Sequence, residues 1–225
     1  MIDLKKSLDY FQPSSLGNSR CHIIGCGSVG GNIAVALARL GVTKMTLYDF
    51  DKVESHNLAN QVFRQQDVGV PKVDALISIL AEINPDIEKT IKVQNEGWKG
   101  QTLSGYVFLA PDSIEVRRQV VEGNRFNTHL KAMFDFRTGL EGAQTYAADW
   151  SNPQHIENLL NSMDFTDEEA LEHTPVSACG TTLGLGSIPR MIADLGVNNW
   201  LNFVRLGELK TFIMLDGFKF SITSF

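Results

Sequence analysis

Apolar positions along the chain change their period several times, and the changes mark out its elements. The compact apolar run Cys21-His22-Ile23-Ile24 is followed by Gly25, Gly27 and Gly30, and then by Ile33, Ala34, Val35, Ala36, Leu37, Ala38 and Leu40 at helical density. This order predicts strand, turn and helix. Gly41 stops the helix, and Lys44 to Tyr48 predicts the next strand, ending at Asp49-Phe50-Asp51. A strand-helix-strand unit of this kind implies a parallel pair with a right-handed crossover. A polar loop over 52–70 leads to Pro71, whose fixed φ suits a helix start, and Val73, Leu76, Ile77, Ile79, Leu80 and Ile83 then repeat at helical spacing up to Asn84. A strand is predicted near Thr90 to Gln94, and Tyr106 to Ala110 reads as a buried one. Asp112-Ser113-Ile114-Glu115 has capping-box spacing and predicts a helix opened by Asp112.

Beyond Lys131 the pattern turns to strands without long intervening helices, over 131–136 and 143–148, and then to an acidic helical stretch over 153–172. A last helix is expected from Leu183 to Val204, interrupted or begun near Pro189. Lys210 to Leu215 and Phe218 to Thr223 predict a hairpin around Asp216-Gly217 that finishes the sheet. The expected fold is α/β, a Rossmann-like doubly wound sheet, parallel in the N-terminal half and mixed or antiparallel in the C-terminal half. With 225 residues, one substantial core and a single domain over 1–225 are expected.

Composition narrows the partners. A net charge of −6 argues against a phosphate-coating surface, so no nucleic acid is expected. Neither a signal-like apolar run after Met1 nor a bilayer-length apolar stretch occurs, so no membrane partner and a cytoplasmic location are expected. The three cysteines, Cys21, Cys26 and Cys179, contain no Cys-x-x-Cys pair, which predicts reduced thiols and no structural zinc. The five histidines lack metal-ligand spacing, and His56 reads as loop polarity.

The chemistry concentrates between residues 25 and 72. Gly25-Cys26-Gly27-Ser28-Val29-Gly30 follows a strand and opens a helix, the setting in which backbone N–H groups hold phosphate. Asp49, at the end of the next strand, stands where a carboxylate accepts hydrogen bonds from ribose hydroxyls. These features fit an NAD-dependent oxidoreductase and an ATP-using enzyme equally. The neighbouring residues separate the two: Asp49-Phe50-Asp51-Lys52-Val53-Glu54-Ser55-His56-Asn57-Leu58-Ala59-Asn60-Gln61, and then Asp67-Val68-Gly69-Val70-Pro71-Lys72. This block resembles the ThiF/MoeB/HesA family, related to ubiquitin-activating enzymes, whose pattern is Asp-x-Asp-x-Val-Glu-x-x-Asn-Leu and then Asp-x-Gly-x-x-Lys. The resemblance covers residues 20 to about 118 well and continues loosely through Cys179-Gly180.

The resemblance implies a ThiF-type nucleotide-binding domain that uses ATP and Mg²⁺ to adenylate the C-terminal carboxylate of a ubiquitin-like or sulfur-carrier protein ending in Gly-Gly, and that works as a homodimer. It assigns Lys72 to the phosphates, Asp49 to the ribose and Asp112 to Mg²⁺, with Asn57 and Gln61 at the phosphate end and Gly25, Gly27, Gly30 and Asp51 in the nucleotide site. Where the family has Asn-Arg-Gln this chain has Ala59-Asn60-Gln61, so a phosphate-reaching arginine is replaced by Asn60. Arg64, four residues on, shares a face with position 60 if the loop is helical, and is then the candidate catalytic replacement. Cys179 stands where some relatives carry a reactive thiol. The alternatives are a non-catalytic ATP-binding interaction protein of the same fold and, against the Asn57 to Lys72 block, an NAD-dependent oxidoreductase.

Overall fold

A computed structural model describes residues 2–172 and 183–225. Its elements are β1 (Arg20–Ile24), α1 (Ser28–Arg39), β2 (Met45–Tyr48), α2 (Lys72–Ile83), β3 (Lys92–Gln94), β4 (Gly105–Leu109), α3 (Ile114–Gly123), β5 (Leu130–Thr138), β6 (Gly142–Asp149), α4 (Pro153–Asn161), α5 (Asp167–Glu172), α6 (Ser187–Leu206), β7 (Phe212–Asp216) and β8 (Ser221–Ser224). All eight strands lie in one sheet in the order β3-β2-β1-β4-β5-β6-β7-β8. Pairing is parallel from β3 to β5 and antiparallel from β5 to β8, as the change of pattern beyond Lys131 predicts.

The central strands are apolar at successive positions because both faces of the sheet are covered. On β4, Tyr106 and Phe108 join the core under α1, α2 and α6, while Val107 and Leu109 join the core under α3 and α4. β1 and β5 alternate in the same way, with Ile23 and Phe134 on the first side and Ile24 and Met133 on the second. Trp200 of α6 is fully buried and meets Tyr106, Phe108 and Phe11 edge-on, which ties the late helix and the N-terminal segment to the parallel half. Pro189 lies in the first turn of α6, where a missing N–H costs nothing. Among the described residues no helix is long and apolar enough to cross a membrane.

One helix start differs from the sequence reading. Ser113, not Asp112, caps α3, its Oγ accepting from the Val116 N–H at 3.2 Å. The capping box predicted from Asp112 and Glu115 does not form, because Ser113 sits one residue closer to the helix and already satisfies the orphan donor.

Candidate functional site

The chain runs outward from β1 through β2 to β3 and then returns to the other side of β1 for β4. The loops leaving β1 and β4 therefore diverge at the carboxyl ends of the strands, and the crevice between them is where open α/β sheets take ligands. Three segments meet there: the glycine turn after β1, the loop from Asp49 to Lys72 after β2, and Ala110 to Ser113 after β4.

Two of the turn's glycines are needed for packing. Gly25 has φ 87°, and a Cβ on it would lie 2.5 Å from the Ala110 carbonyl oxygen. A Cβ on Gly30 would lie 1.8 Å from the Gly25 oxygen, so α1 rests directly on the turn. Gly27 is different: a Cβ there would meet nothing nearer than Gln61 Nε2, at 4.0 Å. It is the N-cap of α1 and supplies no side-chain cap, and the first turn of the helix has no acidic residue. The helix thus presents backbone N–H groups and the positive end of its dipole over an open surface.

Asp49 is buried and does more than the ribose assignment requires. One carboxylate oxygen accepts from the Cys26 N–H at 2.7 Å and the other from the Asp51 N–H at 2.9 Å, knitting the glycine turn to the end of β2. Burial pushes its pKa up, and the two N–H groups and the Lys72 charge only partly offset this, so it stands above the ordinary value. Asp51 reaches the other way, to Lys72 Nζ at 2.7 Å, while the Lys72 backbone N–H donates to the Asp51 carbonyl at 2.8 Å. The side chain of Asp51 is half exposed, and Lys72 is only 8% exposed. Burial pulls the Lys72 ammonium down, but the Asp51 hydrogen bond and the fields of Asp49, Asp51 and Asp112 outweigh it, leaving its pKa raised. A buried cation is thereby fixed in the first turn of α2. Asp112 is exposed, close enough for Lys72 to feel its charge, and makes no hydrogen bond or ion pair among the described residues.

The loop between them is held by its own polar groups. Asn57 is buried, and its Oδ1 accepts from the Glu54 N–H at 2.9 Å, closing a 3₁₀ turn over Ser55–Ala59. Asn60 Oδ1 and Gln61 Oε1 are buried without a hydrogen-bond partner among the described residues. Gly184 and Gly186 lie against this corner, a Cβ on Gly186 falling 3.3 Å from the Ala59 oxygen. Orphaned acceptors beside an uncapped helix start are costly without a ligand. Ribose hydroxyls or metal-bound water would satisfy them, and the same amides flipped present N–H groups to phosphate oxygens. With the Asp112 carboxylate available to a cation that binds through one or two carboxylates and phosphate, these residues fit ATP and Mg²⁺.

Arg64 is not brought to this cluster. Residues 61–64 are not helical, so position 64 does not share a face with Asn60. Its guanidinium binds Asp67 through Nε at 3.0 Å, Ser78 at 3.1 Å, and Glu82. Ser78 and Glu82 lie on α2 roughly 9 and 15 Å further along the helix than Lys72, given 1.5 Å per residue. Cys179 lies outside the described residues. Cys21 and Cys26 are fully buried; burial pushes the first thiol up to about 12 and the second well above its ordinary value, so neither offers a thiolate. His56 is exposed, 3.4 Å from a Glu54 carboxylate oxygen.

A buried ion cluster behind the site escapes the sequence reading. Arg117 donates to Asp135, to the Phe136 carbonyl at 2.7 Å and to the Pro111 carbonyl, and Arg137 closes on Asp135 at 2.7 Å. The available signal is Asp135 inside the apolar run Met133-Phe134-Asp135-Phe136, a charge that burial obliges to find partners. Arg117 ties the loop bearing Asp112 to β5 through it.

The ThiF family profile matches this chain over residues 8–207. The chain belongs to the ThiF family. Within it, Ubiquitin-like modifier-activating enzyme 5 of Arabidopsis thaliana is 46% identical over 65 residues, 29% of this chain and 15% of that protein. The Bombyx mori protein of the same name is 42% identical over 65 residues, 29% of this chain and 16% of its own. Among solved structures, PaaA superposes with a TM-score of 0.71 at 16% identity, and E. coli MccB with ATP with a TM-score of 0.66 at 19% identity. Each alignment covers 95% of this chain and 65% of the other. At these identities the likeness is one of fold, and this ThiF-family chain spans about two thirds of the length of those structures.

Proposed function

We propose that this domain is an ATP-dependent adenylyltransferase that activates the C-terminal carboxylate of a ubiquitin-like or sulfur-carrier protein, working as a homodimer with Mg²⁺. The observation that carries the reading is Lys72, a buried cation held by Asp51 in the first turn of α2, in the field of Asp112, which has no partner among the described residues, and close enough to the glycine turn for its charge to act on Cys26. In the reaction a carboxylate oxygen bonds to the α-phosphorus, the bond to the β-phosphate oxygen breaks, and pyrophosphate leaves with that electron pair. Two anions must approach, so the site has to offer fixed positive charge where negative charge accumulates. Lys72 does this by exchanging Asp51 for phosphate oxygen, and the α1 N–H groups add to it. Asp112 would hold Mg²⁺, which when bound would supply further neutralisation of the phosphate charge. Asp49 takes the ribose through the lone pairs its two backbone hydrogen bonds leave free. In support, E. coli MccB has been crystallised with ATP, and with AMPCPP together with MccA.

A second reading rests on Asn60 and Arg64. Asn60 is neutral where the family arginine is expected, and Arg64 is engaged elsewhere, which fits a domain that binds ATP and partners without adenylating. Titration by calorimetry tests the nucleotide assignment that both readings share. Mg-ATP should bind and NAD should not, and Asp49→Ala should weaken ATP about tenfold or more; preferential binding of NAD would contradict both.

A further inference from the structure

We propose that Asp167 is a positioning residue for the metal end of the site, an inference that rests on the ATP reading above. Asp167 opens α5, more than fifty residues along the chain from the start of α3, yet its carboxylate is engaged at that start. One oxygen accepts from Ser113 Oγ at 2.7 Å and the other from the Ile114 N–H at 2.5 Å. The Ser113 hydroxyl is thereby fully oriented: it donates to Asp167 while accepting from the Val116 N–H. On the other side of the loop Arg117 donates to the Pro111 carbonyl and is itself held by the buried Asp135. Arg118 carries the preceding segment in, donating to the Met163 carbonyl and to the Phe165 carbonyl at 3.1 Å, so that Asp167 arrives on a fixed path.

Pro111 is held by Arg117 of α3, and Ser113 and Ile114 by Asp167 from far along the chain, and the residue between them, Asp112, has an exposed carboxylate with no partner among the described residues. Anchors on both sides of a carboxylate that has no partner among the described residues fix the backbone from which it projects, which preorganises a metal ligand and which a surface aspartate does not need. Asp167 therefore acts through Ser113 and Ile114 on the direction of Asp112, and touches no substrate itself. A purely structural cap would stabilise α3 without any effect on metal dependence.

The test titrates ATP against the intact chain at a series of Mg²⁺ concentrations, including none, for wild type, Asp167→Ala, Asp167→Asn and Ser113→Ala. Asp167→Ala and Ser113→Ala should reduce the gain in ATP affinity that Mg²⁺ confers by about tenfold, the usual cost of losing an outer-shell partner, and leave metal-free ATP affinity unchanged. Asp167→Asn keeps an acceptor for the Ile114 N–H and a donor for Ser113 and should retain the gain. If Asp167→Ala does not fold, Ser113→Ala and Asp167→Asn still give the two opposed outcomes. A full Mg²⁺ gain in Asp167→Ala or Ser113→Ala overturns the proposal, as does an equal loss in Asp167→Asn. A wild-type protein that binds no ATP, or gains nothing from Mg²⁺, overturns the functional reading itself and this inference with it, and the wild-type arm alone reveals that case.

Discussion

The charge balance of the site turns on Lys72. Asp51, its partner, is half exposed, so removing the lysine leaves that carboxylate to water at little cost, whereas it takes away the cation proposed to meet the phosphates. Lys72→Met should leave the thermal midpoint nearly unchanged and lower adenylation by about a hundred- to a thousandfold, read by melting curves and pyrophosphate exchange. A matching loss of stability would assign Lys72 to the fold. His22 makes the opposite kind of prediction. It is buried, its Nδ1 lies 2.9 Å from the Tyr48 hydroxyl and its Nε2 accepts from the Ser104 N–H at 3.3 Å, so it is held neutral. Burial and the nearby Arg20 push its pKa from 6.5 down to about 4. The unfolded chain takes up a proton in this window and the folded chain does not, so stability is complete above about pH 6.5 and falls by roughly 3 kcal/mol as pH drops to 4. His22→Gln should flatten that part of the pH dependence of the thermal midpoint; an unaltered slope would place the acid sensitivity elsewhere. At this scale the places of Asp49 and Lys72 were legible, because one follows a strand end and the other begins a helix. The partnership of Asp51 with Lys72 was not, since it depends on the path of a loop of some twenty residues. Asp135 needed its two arginines from α3 and from its own strand, a meeting that only the folded sheet arranges.

Elements show the same division. The glycine turn contains positions that packing requires and one that it leaves open, and substitution should separate them. Gly30→Ala places a methyl group 1.8 Å from the Gly25 oxygen and should unfold or strongly destabilise the domain. In Gly27→Ala the new methyl group meets only Gln61 Nε2, at 4.0 Å and without a clash, so the variant should keep the wild-type melting temperature and weaken ATP through the methyl group placed over the open helix start. Loss of stability in Gly27→Ala would show that this glycine, too, is a packing residue. The loop carrying Asp112 is stabilised from behind by the Arg117–Asp135 pair, and Arg117→Met strands a fully buried carboxylate on Arg137 alone. Breaking such a pair costs about 3 to 5 kcal/mol, measurable by urea unfolding, and ATP affinity should fall with it. The α3 start was misread by one residue because Asp112 and Ser113 are both favoured caps; the hydroxyl wins through Asp167, a contact between elements that no local pattern encodes. For Arg64 the expectation required a helical loop. The 3₁₀ turn ends at Ala59, and Asp67, Ser78 and Glu82 take the guanidinium to the far part of α2.

Across the whole molecule the division into a parallel and an antiparallel half was readable, because continuous apolar runs between helices give way to strands that pair through short turns, β5 with β6 and β7 with β8. Strand order was not. The return of β4 to the far side of β1 creates the crevice, and only the folded sheet reveals that the loops after β1 and β4 flank it. That arrangement gathers the glycine turn, Asp49, Lys72 and Asp112 from well-separated stretches of sequence, and the adenylation reading depends on their acting together. Pyrophosphate exchange into ATP, run with carrier proteins ending in Gly-Gly, tests this most directly. Exchange is expected to require both Mg²⁺ and a carrier and to be lost in Lys72→Met. No exchange with any carrier by a protein that still binds Mg-ATP, followed by its appearance in Asn60→Arg, would contradict an active adenylyltransferase and establish the nucleotide-binding, non-catalytic alternative.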